Sequence, residues 1–394
     1  MPVYLHALDT LVPEFSYPQD YARDRMKEFI GAEDRRLARL VHTVYNRSGI
    51  ENRHSVYPDF GEDAECRLFK PGPDGRPVNP TTEDRNRLYA EDSRRLAVEL
   101  GRKLFAGSRT LGPKDVTHVV FASCTGFCNP GPDFHLVRDL GLPDSVERFT
   151  LGFMGCYAAF PALRMARQFC AANPEAVVLV LCLELCTLHL RIEGSPDWLL
   201  ANSLFADGAG AALVSAREPG DDFTGYRLDA FASALVPAGE ADMTWDIGNH
   251  GFNIVLSSYV PEIIGAEIRV LLGRALQNGG LDLADIEAWA VHPGGRAILD
   301  KVVEGLGLPP DAVDAAREVL RRFGNMSSAT IFFVLKEMLE NPPPDRESSA
   351  TTLAMAFGPG LTVETALLQR IGSRKAAAAA AASKPAAAAA AAAV

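Results

Sequence analysis

The chain has 394 residues, 47% hydrophobic and 23% charged, a globular composition long enough for two domains or one two-lobed unit. Its formal net charge is −11, and no Lys/Arg run builds the basic face of a nucleic-acid binder, although local arginines can hold small anions. Before the C-terminal tail no uninterrupted apolar run reaches the roughly 18 residues of a membrane span.

In chain order, the opening "MPVYLHALDTLVPEF" has neither the basic n-region nor the long apolar h-region of a signal peptide. The seven cysteines are odd in number and sit mostly in apolar runs, which fits reduced thiols in a cytoplasmic protein better than a disulfide framework. "THVVFASC" (Thr117–Cys124) and "AVVLVLCLEL" (Ala176–Leu185) predict strands, as do "IEAWAVH" (Ile286–His292) and "TTLAMAF" (Thr351–Phe357). Continuous apolar strands imply a sheet covered by helices on both faces. "DAVDAAREVLRRF" (Asp311–Phe323) and "ATIFFVLKEMLE" (Ala329–Glu340) read as helices between them. "KAAAAAAASKPAAAAAAAAV" (Lys375–Val394) is low complexity, broken by Pro385, with no apolar stripe to bury, and reads as a disordered tail.

The chain also resembles itself. "LVRDLGLPDSV" (Leu136–Val146) matches "VVEGLGLPPDAV" (Val302–Val313). Each lies in the same series: strand, loop, helix, Gly-Leu-Pro, a glycine-led helix start, buried strand. A duplication of βαβαβ units follows. Residues 1–220 and 221–371 are the expected halves, with 372–394 as the tail. Cys156 and Asn325 then hold matching places, each after a glycine at a helix start. Two such halves bring their matching loops to one interface.

Cys156 stands out within "GFMGCYAAF" (Gly152–Phe160). Phe160, Leu163, Ala166 and Cys170 mark an apolar helical face behind it. A thiol in the first turn of a helix feels the positive end of the macrodipole, which favours thiolate and lowers its pKa from about 8.5. Taken alone, a buried apolar cysteine is the commoner case. His292 ends an apolar strand, held extended by Pro293, at the carboxyl end where parallel sheets bind ligands. Asn325 alone is an ordinary N-cap candidate. Together the three suit acyl chemistry: a thiolate with an imidazole partner, and an amide to hydrogen-bond a developing enolate or oxyanion. Cys124/Cys128 and Cys182/Cys186 are spaced at i, i+4, but apolar flanks and the lack of a Cys-x2-Cys knuckle argue for small core or pocket thiols, so no metal site is expected. "FGPGLTVE" (Phe357–Glu364) is a rigid bend whose backbone N–H groups can face a ligand.

"GFMGCYAA", "SLFADGAGAALV", "HPGGRAILD", "GNMSSAT" and "AFGPGLTVE", in that order, resemble a type III polyketide synthase of the chalcone synthase superfamily, over most of residues 1–371. The resemblance implies an α/β thiolase fold, with five αβαβα layers. It implies that Cys156 takes an acyl starter from its CoA thioester. His292 keeps Cys156 as thiolate, and with Asn325 assists decarboxylation of malonyl-CoA. The enolate then attacks the acyl-cysteine, and the extended chain cyclises to a pyrone, a resorcinol or a related aromatic. Phe205 matches one gatekeeper phenylalanine, and the second falls on Ile254, implying a wider gate. Backbone N–H groups of Cys156 and of Gly358, Pro359 and Gly360's loop form the oxyanion hole. Thr125, Asn129, Cys186 and His189 line the cavity. Thr125 and Cys186 are similar to the long-chain alkylpyrone and alkylresorcinol formers of bacteria, whereas Asn129 departs from them and reaches the partner's cavity in a homodimer. CoA contacts fall to Arg47, with Arg53 as a substitute, and to Gly294, Gly295 and Ala297. No cofactor is implied, since CoA thioesters are substrates.

Two other readings share these residues: a single-condensation ketoacyl-acyl carrier protein synthase, and a non-catalytic thiolase-fold or metal-binding protein. "HPGG", "FGPGL" and the lack of a basic patch for an acidic carrier argue against the first. The intact cysteine, histidine and asparagine argue against the second.

Overall fold

The computed structural model describes residues 1–31, 34–61, 65–257, 259–373 and 375. Apart from residues 372, 373 and 375, the tail expected to be disordered lies outside the described residues. The strands are β1 (Tyr4–Leu11), β2 (Phe15–Pro18), β3 (Asn52–Ser55), β4 (His118–Ser123), β5 (Glu147–Gly152), β6 (Val177–Leu185), β7 (Asp207–Ser215), β8 (Gly225–Leu235), β9 (Met243–Gly248), β10 (Gly251–Leu256), β11 (Ala288–Val291), β12 (Ser349–Gly358) and β13 (Thr362–Ile371). The helices are α1 (Gln19–Phe29), α2 (Arg35–Arg47), α3 (Thr82–Gly107), α4 (Pro132–Leu140), α5 (Ala159–Ala172), α6 (Pro196–Leu204), α7 (Val260–Gly279), α8 (Arg296–Leu306), α9 (Asp314–Phe323) and α10 (Thr330–Glu340). All four predicted strands and both predicted helices form, with no end shifted by more than three residues.

Nine strands join in the order β11-β12-β13-β8-β1-β7-β6-β4-β5. The seam lies between β1 and β8, which share only the pairs Tyr4↔Arg227 and Leu5↔Tyr226. On one side β4, β5 and β6 run parallel, with β7 and β1 antiparallel. On the other, β11 and β12 are parallel and β13 and β8 antiparallel. So β4, β6, β7 and β1 answer to β11, β12, β13 and β8. The repeat is imperfect: α9 occupies the chain position where the first half has β5.

Every residue of β6 and of β7 is buried, as strands covered on both faces must be. α3 and α4 cover the outer face of the first half, and α7 with α8 that of the second. Between them α5 touches β6 and β13, and α10 touches β1 and β11, so both helices are clasped by both halves. These are the five αβαβα layers of the thiolase fold. The expected apolar face of α5 (Phe160, Leu163, Ala166, Cys170) is buried.

Candidate active site

The two glycine-led helix starts are conformationally alike. Gly155 has φ +74° and Gly324 φ +73°, a region that favours glycine. Each leads through a 3-10 turn, Gly155–Tyr157 or Ser327–Ala329, into a middle-layer helix, α5 or α10. Gly155 has no room for a side chain, because a Cβ there would lie 2.3 Å from Pro359 Cδ. A Cβ on Gly358 would lie 2.5 Å from Tyr157 Cδ1 and 3.5 Å from the Cys156 nitrogen, so the Gly-Pro-Gly bend caps the cysteine turn. Among the described residues, the non-glycine residues at positive φ are Phe153, Ser327 and Leu361. Each is within three residues of Cys156, Asn325 or the Gly-Pro-Gly bend, where stored strain is expected at a working site.

Cys156, His292 and Asn325 line one cavity of about 430 Å³ with mostly apolar walls. Asn325 is fixed on both sides: its N–H donates to Leu204 O at 2.9 Å, and its carbonyl accepts Ala206 N–H at 2.9 Å. Its Oδ1 accepts the Ser327 N–H at 2.8 Å, and its Nδ2 donates to Gly294 O at 3.2 Å. His292 follows β11 and donates its backbone N–H to Met355 O at 2.8 Å. Its ring is fully buried, yet neither nitrogen has a partner among the described residues. A buried polar group without a partner costs roughly 1–3 kcal/mol, so this ring is arranged for something that enters the cavity.

Burial works against the expected thiolate. Burial pushes the Cys156 thiol up to about 11, against hydrogen bonds from Ser327 and Asn325 that act the other way. The cysteine sits in a 3-10 turn ahead of α5, and desolvation of its charged form outweighs the helix start. Burial likewise lowers His292 to about 3. In both groups burial favours the uncharged form.

The other expected residues divide. Thr125, Cys186, His189, Phe205, Ile254 and Pro359 line the cavity, as do Arg47, Gly294, Gly295 and Ala297 nearer its rim. Asn129 does not: it is exposed, beside a cis bond to Pro130, and belongs to no wall of this chamber. Arg53 lines the cavity but is no free cation, because it donates to Gln19 Oε1 at 2.8 Å and to the carbonyls of Asn202 and Phe205 at 2.6 and 2.9 Å. Gly358 and Gly360 are outside the wall, and the Gly360 N–H already donates to Met243 O at 2.9 Å, which leaves it unable to serve an oxyanion. Among the described residues no group of three His, Cys, Asp or Glu side chains is placed to hold a metal ion, and no helix is long and apolar enough to cross a membrane.

Two features escaped the sequence. Glu184 is fully buried in β6, accepting the Cys124 N–H at 2.9 Å, the Thr125 hydroxyl at 3.0 Å and the Ser328 hydroxyl at 2.5 Å. Burial lifts it to about 7 against those bonds. One acid in an otherwise apolar strand was the available signal. The second feature is Trp245, on the β9–β10 hairpin, which lines the cavity and donates Nε1–H to Cys124 O at 2.8 Å. It meets His189 edge-on at 5.5 Å, and His189 stacks on Phe252 at 4.1 Å. Phe252 N–H donates to His189 Nδ1 at 3.1 Å, which places the ring proton on Nε2, 2.7 Å from Thr125 O. Burial lowers this histidine to about 3.

Comparison with known proteins agrees with this layout. The model for "Chalcone and stilbene synthases, N-terminal domain" matches residues 5–219, and its C-terminal counterpart matches residues 227–372. A relative from Mycobacterium tuberculosis, "Alpha-pyrone synthesis polyketide synthase-like Pks18", is 31% identical over 372 residues, covering 93% of this chain and 91% of the relative. Among solved structures, PKS-I of the brown alga Ectocarpus siliculosus superposes with TM-score 0.85 at 28% identity, covering 94% of this chain and 98% of that one. The 1,3,6,8-tetrahydroxynaphthalene synthase of Streptomyces coelicolor, a bacterial type III polyketide synthase, gives 0.80 at 27%, covering 93% and 99%. With both domain models matched and its cysteine, histidine and asparagine around one cavity, the chain belongs to the chalcone and stilbene synthase family and is a type III polyketide synthase.

Proposed function

We propose that Cys156 carries the growing acyl chain while His292 and Asn325 handle the malonyl unit. The observation that carries this reading is the unpartnered, fully buried imidazole of His292 in the same cavity as Cys156. With burial favouring the uncharged form of both groups, His292 takes the thiol proton as Cys156 sulfur attacks the acyl-CoA carbonyl. The thioester C–S bond breaks, and CoA leaves with that proton. Malonyl-CoA then loses CO2, and the enolate oxygen accepts hydrogen bonds from the His292 N–H and from the Asn325 Nδ2–H that Gly294 does not hold, which turns to it from the now acylated Cys156 sulfur. The enolate carbon attacks the acyl-cysteine carbonyl, leaving a β-ketoacyl-CoA and expelling Cys156 as its thiolate, which takes up a proton from solvent. The Cys156 N–H, capped by the Gly358–Pro359 bend, is the backbone donor for the tetrahedral oxyanion.

The product we propose is a pyrone, formed by lactone closure. Its support is the relative whose name records alpha-pyrone synthesis. Exposed Phe127 and Phe134 flank the Asn129–Pro130 bend and support a homodimer there, with Asn129 facing the partner. The halves divide near residue 220. All seven cysteines are free, as in a reducing cytoplasm.

The test is Cys156→Ala incubated with malonyl-CoA and starters from acetyl- to stearoyl-CoA, with products read by mass spectrometry. Loss of acyl loading and of polyketide, with CO2 release retained, is the expected result. Full polyketide formation by this variant would end the assignment.

A further inference from the structure

The cavity has a buried end and an exposed rim. Cys156, His292 and Asn325 lie at the deep end, and Thr43, Arg47, Arg296 and Ala297 are exposed at the rim. Three arginines line the cavity, and they differ in what holds them. Arg53 is buried and occupied by three acceptors. Arg47 makes no hydrogen bond or ion pair among the described residues. Arg296 has Asp300 at 3.7 Å, too far for a hydrogen bond, and Asp300 is held at 2.7 Å by Arg317 instead. Glu51, the acid nearest Arg47 in sequence, is paired with Arg321.

Arg296 is nevertheless placed with care. Its aliphatic stem packs on the loop after α2, where a Cβ on Gly49 would lie 3.6 Å from Arg296 Cβ and 3.7 Å from Cδ. Gly49 is the second residue after Arg47, so the two arginines flank one stretch of rim. Arg296 is also the first residue of α8, whose amino-terminal end adds partial charge of the same sign. A rim with one unpaired guanidinium, and a second whose loose carboxylate partner Asp300 is shared with Arg317, fits a polyanion better than any neutral group.

The geometry points to Arg296 as the residue that, with Arg47 across the rim, holds the phosphates of the CoA thioester. This rests on the reading that CoA thioesters reach Cys156 through this rim. The guanidinium grips the nucleotide end while the acyl end lies deep beside Cys156, so Arg296 acts on binding and leaves the bond-making groups untouched.

The experiment compares Arg296→Ala and Arg296→Lys with the wild type, using malonyl-CoA and the malonyl thioester of N-acetylcysteamine, which lacks phosphates. KM for malonyl-CoA should rise about tenfold in Arg296→Ala, the order of one lost charge-assisted hydrogen bond. The preference for the CoA thioester should fall by the same factor, with kcat little changed and partial recovery in Arg296→Lys. Added salt should raise the wild-type KM for malonyl-CoA more than that of Arg296→Ala. An unchanged KM for malonyl-CoA, or an equal loss on both thioesters, overturns the inference and leaves the polyketide reading standing. A wild-type protein that turned over neither thioester would overturn both.

Discussion

Glu184 and Ser328 meet at 2.5 Å, the carboxylate accepting the hydroxyl, and this contact ties β6 of the first half to the turn after Asn325 in the second. The same carboxylate holds Cys124 and Thr125, so a single buried acid connects the walls on both sides of Cys156.

That acid makes stability depend on pH. Its folded pKa is raised from 4.5 to about 7, so its contribution is complete below about pH 4.5 and is lost as pH rises through about 7. Glu184→Gln should flatten the fall in Tm between pH 5 and 8 relative to wild type. Parallel Tm curves for the two proteins would remove Glu184 from this account.

Cys156 should behave as a half-buried thiol desolvated by its surroundings. With its pKa near 11, iodoacetamide labelling of the free enzyme should climb about tenfold per pH unit from pH 7 to 10. A plateau already reached below pH 7 would mean a standing thiolate, and His292 would then be its charged partner.

Trp245 bounds the acyl chamber. Trp245→Ala removes an indole from the wall and frees Cys124 O, so the variant should accept longer starters and release longer products. The measurement is the product mass profile against starter length. A profile identical to wild type at equal turnover would place the limit elsewhere.

Gly155→Ala should be worse than its size suggests. The new methyl collides with Pro359 at a backbone angle that alanine resists, so the Gly-Pro-Gly bend must move off Cys156. Activity should fall by about 10², the scale of an ångström-level misplacement. Gly324→Ala, facing Arg53 Cγ at 3.0 Å and Leu204 O at 3.1 Å, should disturb Asn325 in the same way. Near-normal turnover in both would show that these turns tolerate displacement.

The buried strands were legible because a covered sheet demands long apolar runs, and Val177–Leu183 of β6 and Leu353–Phe357 of β12 supply them. The matching of Cys156 to Asn325 was legible because each turn needs a glycine at positive φ, a constraint that leaves a letter in the chain. The protonation of Cys156 was not, because desolvation is a property of everything packed around it. Arg53 misled for a similar reason: its charge is visible in sequence, but the carbonyls that absorb it come from residues 149 and 152 positions away. Arg296 leaves no such mark between Gly295 and Ala297, and only the cavity singles it out.

The seam at β1 and β8 gives the molecule a temporal order. The ribosome delivers the nucleophile well before the imidazole and the amide, and two residue pairs are a slender join for the half that arrives first. A nascent chain ending near residue 220 has a thiol but no groups to make an enolate, and its α5 still lacks the layer that closes over it. Condensation therefore waits for the last strands, β12 and β13, to close the second half.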